Sequence, residues 1–308
     1  MTKNKKIPWP LDNNTSLIRL ISEVSGEEKS IVTRKLHQEE KQLGWNVRED
    51  LLSHQLIPHV WNEDLLNFYS KTNSFLYESS VWNRRPLKQS MQEWIRDYLT
   101  TNFTHPLKIL SYGDGLGFDS LYLSQAKHTV TYFEVSEDCV AYAKQVFSNN
   151  HVQIDMINSE DELASGSFDA VICLDVLEHV PDPAFILNKF TKWLKNDGIL
   201  IAHAPFFLIH PYYSTHLKSN QKLSGALELF TNLGLQPVKS RLFWDPIIFR
   251  NSQNHLEQSK IPMLTRLGGA LLAQGRGRLG IIHSKIARYM SRGERHWVKD
   301  LAKMLKTN

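Results

Sequence analysis

The apolar positions along this chain change their spacing near residue 104. Before it they recur at helical intervals. Met91, Trp94, Ile95, Tyr98 and Leu99 follow an i, i+3, i+4, i+7 order, the stripe of a helix with one buried face. Asn62, ahead of Glu63 and Asp64, opens another helix, expected to run on through Phe68, Tyr69, Phe75 and Tyr77. A charged helix is expected between Ser25 and Leu43, behind an irregular arm containing Pro8 and Pro10. After residue 104 the pattern becomes short apolar runs of strand length, at about 107–112, 129–134, 152–157, 170–174 and 199–203. Helical stretches separate them, and two further β-like runs follow at about 235–242 and 246–249. Short connections that alternate strand with helix predict an α/β fold with a mostly parallel sheet.

Three glycines, Gly113, Gly115 and Gly117, stand at alternate positions after the first strand, and Glu134 closes the second. A sharp turn from strand to helix needs positive φ, and a ligand lying against the backbone leaves no room for a Cβ. An acid at the end of the neighbouring strand is placed to accept hydrogen bonds from a ribose diol. The dinucleotide fingerprint G-x-G-x-x-G would put its third glycine at position 118, which is Phe118. Further on, Phe168-Asp-Ala-Val and Val176-Leu-Glu-His-Val precede a helical stretch, the Asn196-Asp-Gly turn and a strand.

The G-x-G-x-G loop, Glu134 and the Leu-Glu-His-Val segment together resemble the class I S-adenosylmethionine (SAM)-dependent methyltransferases, in their quinone-biosynthesis-like branch. The match covers about residues 107–238. It implies a Rossmann-like sheet with helices on both faces, SAM as cofactor and S-adenosylhomocysteine (SAH) as product. It places Gly113, Gly115 and Gly117 under the methionine part of SAM and Glu134 on the ribose. Adenine would lie near Asn158, Ser159 and Glu160, and the sulfonium near Leu174 and Asp175. The family's acid two residues before the first glycine is replaced by Ser111, so Ser111, Asp114 or the N-terminal helices are left to hold the amino end. His179, His210, Tyr213 and His216 lie on loops after strands four and five and are the candidate bases and substrate contacts.

The aromatic stretch from Phe75 to Arg85 is read either as a helix packed on the sheet or as a lid in which Tyr77, Trp82 or Arg84 reaches the site. The spacing of His203, His210 and His216 does not define a metal site, because no cysteine or clear carboxylate accompanies them. The organisation expected is a helical cap over 1–103, a SAM-binding domain over 104–249 and a helical extension over 250–308, with helices at about 261–273, 279–290 and 294–306.

Composition narrows this picture. With 308 residues, 42% hydrophobic and 22% charged, the chain is ordinary for a globular protein. No apolar run reaches the roughly 18 residues of a membrane span, and no h-region follows the charged N-terminus. Only Cys139 and Cys173 occur, both in apolar settings, which suits a reducing cytoplasm. The net charge of +4 is uneven: residues 250–308 carry 12 Lys+Arg against 3 Asp+Glu, and the rest 24 against 29. The extension is therefore either a solvated basic face or a contact for an anionic membrane or acidic acceptor. No RNA-recognition motif is present and nucleic acid is not an expected partner. The acceptor expected is a small molecule, a sugar or a lipid-like metabolite. The competing readings are an NAD(P)-linked oxidoreductase and a SAM-fold scaffold without activity.

Overall fold

A computed structural model describes residues 7–241, 246–252, 263, 266–270, 282 and 296–307. Six helices come first: α1 (Asn14–Ser25), α2 (Lys29–Lys41), α3 (Trp45–Ser53), α4 (Asp64–Lys71), α5 (Ser74–Arg84) and α6 (Pro86–Asn102). Local signals set their ends. The Asn13 side chain accepts from the Ser16 amide at 2.8 Å to cap α1, and Gly26 closes it in the left-handed region. Pro86 opens α6, where its missing N–H costs nothing. The single helix expected from Asn62 to Tyr77 is two, α4 and α5, which meet at Thr72 and Asn73. Thr72 leaves helical geometry at ψ 135°, and its hydroxyl then takes the Ser74 amide at 3.0 Å.

The α/β part follows as β1 (Lys108–Tyr112), α7 (Phe118–Gln125), β2 (Thr129–Phe133), α8 (Glu137–Asn149), β3 (Asp155–Ile157), β4 (Phe168–Leu174), α9 (Pro183–Trp193) and β5 (Leu194–His203). Then come α10 (Glu228–Thr231), β6 (Leu235–Ser240), β7 (Ile247–Asn251) and α11 (His296–Thr307). The strands form one 7-stranded sheet in the order β3-β2-β1-β4-β5-β7-β6. The first five run parallel, and β7 is antiparallel to both β5 and β6. The expected Rossmann-like α/β fold is present. The helix expected over 221–233 is instead a 3-10 turn at Lys218–Leu223 and the short α10, with Gly225 between them at φ 73°. The helices expected at about 261–273 and 279–290 fall largely outside the described residues.

One hydrophobic cluster runs from the N-terminal helices into the sheet part. Leu17, Leu36 and Tyr77 share it with Leu116, Tyr142 and Phe147. The C-terminal helix joins the same cluster through Leu301, and the Arg84 guanidinium lies 4.1 Å above the Trp297 ring. The cap therefore sits on the sheet domain through buried apolar surface, the main favourable term in folding, and this holds α5 and α6 over the carboxyl ends of the strands.

Candidate functional site

Those strand ends and the cap enclose a cavity of about 980 Å³. Its floor is the glycine loop. Gly113, Gly115 and Gly117 all have positive φ, at 69°, 58° and 80°. A Cβ on Gly113 would stand 2.5 Å from Val176 Cγ2, and one on Gly117 would stand 2.6 Å from the Phe147 ring. Gly115 differs, since nothing lies nearer to its Cβ position than Ser79 Oγ at 3.8 Å. Two of the glycines permit protein packing and the third leaves space for a ligand. Tyr132 Oη donates to the Gly115 carbonyl at 2.6 Å and pins the loop from below.

Glu134 lines the cavity beside the loop. Its carboxylate accepts from the amides of Gly115 (2.8 Å), Val135 (2.7 Å) and Ser136 (2.9 Å). Burial pushes its pKa up, and the three amides partly offset this. The acid is thus oriented in advance, with lone pairs left for a hydroxyl.

The other charged end of the cavity centres on Asp175, at φ 62° directly after β4. Its carboxylate accepts from His203 Nδ1 at 2.6 Å, Trp82 Nε1 at 3.0 Å and Lys88 Nζ at 3.4 Å. Burial opposes its charge, but His203 and Lys88 outweigh burial and hold Asp175 far below the ordinary carboxylate range. Lys88 is itself buried and also bonds Asp119 at 3.0 Å. His203 ends β5, the neighbour of β4, and lines the cavity. His203 pairs in register with Leu174, the residue before Asp175, and this adjacency of two parallel strand ends was the signal by which the sequence could have paired Asp175 with His203.

His179, Tyr213 and His216 also line the cavity. The rings of His179 and His216 meet edge to face at 4.8 Å. Burial lowers the pKa of His179 to about 4 and that of His216 well below its usual value, so both are neutral at pH 7. With Glu178 they present ligand atoms within 4.8 Å of one another. The carboxylate that the spacing of His203, His210 and His216 lacks is thus supplied by Glu178, in a different grouping.

Several expected site residues stand elsewhere. His210 is not on the cavity wall and packs its ring against Tyr212 at 5.5 Å. Ser111 and Asp114 face inward. Asp114 accepts from the amides of Asp119 (3.0 Å) and Ser120 (2.6 Å) and from Ser111 Oγ (3.2 Å), which caps α7. Gly117 packs under α8, and Leu174 is buried in the core. Ser159 caps the 3-10 turn Glu160–Glu162, and Glu160 joins Tyr112 Oη at 2.5 Å to Lys189. Of the lid candidates only Trp82 reaches the site. Tyr77 bonds Glu27, and Arg84 bonds Asn14 Oδ1 at 2.8 Å. Gly268, in the described part of the basic extension, adds to the wall.

Residues 110–202 match a family described as Methyltransferase domain. A ubiquinone biosynthesis O-methyltransferase of Xanthomonas campestris pv. campestris (strain B100) is 34% identical over 109 residues, which are 34% of this chain and 46% of that protein. One of the same description from Glaesserella parasuis serovar 5 (strain SH0165) is 33% identical over 108 residues, 32% of this chain and 46% of that protein. The chain spans about half the length of the curated relatives it matches. Among solved structures, magnesium protoporphyrin IX methyltransferase from Synechocystis PCC 6803 with bound SAM is 21% identical, with a TM-score of 0.42 over 58% of this chain and 83% of that one. The sheet order and the glycine loop agree with the family match: residues 110–202 carry a methyltransferase domain that resembles those of the class I SAM-dependent methyltransferases.

Proposed function

We propose that the protein transfers the methyl group of SAM to a hydroxyl or amine of a small, largely apolar acceptor, with His203 as the base. The observation that carries this reading is that the Asp175–His203 pair and the glycine loop open onto one cavity. Bound SAM supplies an electrophilic methyl group on a sulfonium. The residues fit that ligand: Gly115 leaves its Cβ position open, Glu134 is aimed by three amides, and the cavity has room for a second, smaller molecule.

The chain's own work is alignment, exclusion of water and removal of a proton. An ionised Asp175 facing His203 Nδ1 fixes the tautomer with the proton on Nδ1, which makes Nε2 the proton acceptor. Trp82 and Lys88, from the cap, keep Asp175 ionised and turned toward His203. The acceptor's chemistry is suggested by the mouth, where Leu66, Val135 and Phe185 line the cavity and remain 58%, 57% and 56% exposed. An apolar mouth favours an aromatic or lipid-like acceptor over a sugar. Among the described residues no helix is long and apolar enough to cross a membrane.

The test is a thermal melt with SAH and with NADH, followed by SAH detection after incubation with SAM and a panel of phenols and amines. A ligand at 100 times its Kd stabilises by about 2.7 kcal/mol. Stabilisation by SAH alone, and SAH formation that needs an acceptor, are expected; stabilisation by NADH alone would sink the reading. A second reading is favoured by Glu178, His179 and His216: they could hold a divalent cation that orients the acceptor oxygen, since neutral imidazoles and a carboxylate suit it. Calorimetric titration of Mn²⁺ into wild type and His216→Ala tests this, and equal heats from both would remove it.

A further inference from the structure

We propose that Glu78, on α5, holds the ammonium of the methionine half of SAM, taking over from the acid that Ser111 replaces. This rests on the SAM reading above. Glu78 lines the cavity. Its helix neighbours fix where it stands. Ser79 Oγ lies over the Gly115 loop, and Trp82, one turn further on the same face, donates to Asp175. Glu78 therefore stands on the cap side of the cavity, with Oε1 3.4 Å from where a Cβ on Gly44 would lie and with Asp175 close enough to act on its charge, facing the stretch where the resemblance puts the methionine part of the cofactor.

The other acids on the wall are already engaged. Glu134 takes three amides, Asp175 takes His203, Trp82 and Lys88, Asp182 caps α9, and Glu178 stands against His179. No hydrogen bond or ion pair reaches the Glu78 carboxyl from any described residue. Burial, with Glu39 on α2 and Asp175 close by, pushes its pKa well above the ordinary carboxylate range. That is the condition of a carboxyl lacking a cation, and an ammonium brought into the cavity would supply one. The two inward-facing candidates cannot serve, because Asp114 spends its oxygens on α7 and Ser111 donates to Asp114.

The experiment is calorimetric titration of SAH, and of its analogue with hydrogen in place of the α-amino group, into wild type and Glu78→Gln. The deamino analogue serves as the control for folding of the site. SAH is expected to bind Glu78→Gln about 10- to 100-fold more weakly, the loss of one charge-assisted hydrogen bond. The deamino analogue should bind both proteins equally. Equal weakening of both ligands, or no weakening of SAH, overturns the assignment while SAM binding by wild type stands. Wild type that binds neither ligand overturns the SAM reading and the assignment with it.

Discussion

Glu134 and Asp175 face the same cavity, yet they are held in opposite ways. Glu134 takes backbone amides from residues 19, 1 and 2 positions away. Asp175 takes side chains from residues 93, 87 and 28 positions away. The first arrangement exists as soon as β1, the glycine loop and β2 form. The second exists only once α5, α6, β4 and β5 have packed together. A backbone-made site tolerates side-chain change nearby, because amides are not lost by substitution. A side-chain network of buried charges does not, because removing one partner strands the others in a medium that solvates them poorly.

The sharpest break of this comparison is Asp175→Asn. Turnover should fall by about 10²- to 10⁴-fold, the usual worth of a positioned base. SAH affinity measured by calorimetry should hold, because the glycine loop and Glu134 are untouched. His203→Gln should give a similar loss, and the double variant little more, since the two residues act as one unit. Additive losses would break the dyad.

Next in size is Lys88→Met, which leaves Asp119 buried with Gln92 as its remaining side-chain partner. Removing one partner of a buried pair costs about 3–5 kcal/mol, so chemical denaturation should show a large drop in stability. An unchanged midpoint would mean that water already reaches this network.

The glycines come third. Gly117→Ala forces a Cβ against Phe147 and Ala143 and should destabilise by about 1–3 kcal/mol through overpacking, on top of about 1–2 kcal/mol for its left-handed backbone. Gly115→Ala meets open space, so it should cost only the left-handed backbone term, about 1–2 kcal/mol, while weakening SAH more than Gly117→Ala does. Melts and titrations of the two variants side by side would reverse this order if the ligand lies over Gly117.

The smallest effect concerns pH. Burial raises both Glu39 and Asp114 to about 7. The folded protein holds these protons more tightly than the unfolded chain, so their contribution to stability falls as pH rises from about 4 to 7. His179 and His216, lowered on folding, work in the opposite sense. The observable is therefore a difference: the melting temperature of wild type relative to Glu39→Gln should decline from pH 5 to 7.5. A flat difference would show that Glu39 is solvated.

Residue order alone established the strand–loop–helix–strand unit, the glycine loop, the α/β sheet and the place of Glu134 directly after β2. All of these follow from hydrophobic period, positive-φ demand and neighbours within a few turns of chain. It also directed attention to the loops after β4 and β5. It could not tell that Asp114 turns inward, that His210 faces away, or that Glu178 rather than a spaced histidine completes the Glu178–His179–His216 group. Nor could it show Trp82 and Lys88 crossing from the cap to Asp175. Those outcomes depend on which way a side chain points once distant elements pack, and on how burial ranks competing partners for one charge. Only the folded chain brings Trp82, Lys88, Asp175 and His203 together, because their hydrogen bonds form only after the cap and the sheet have buried their common core.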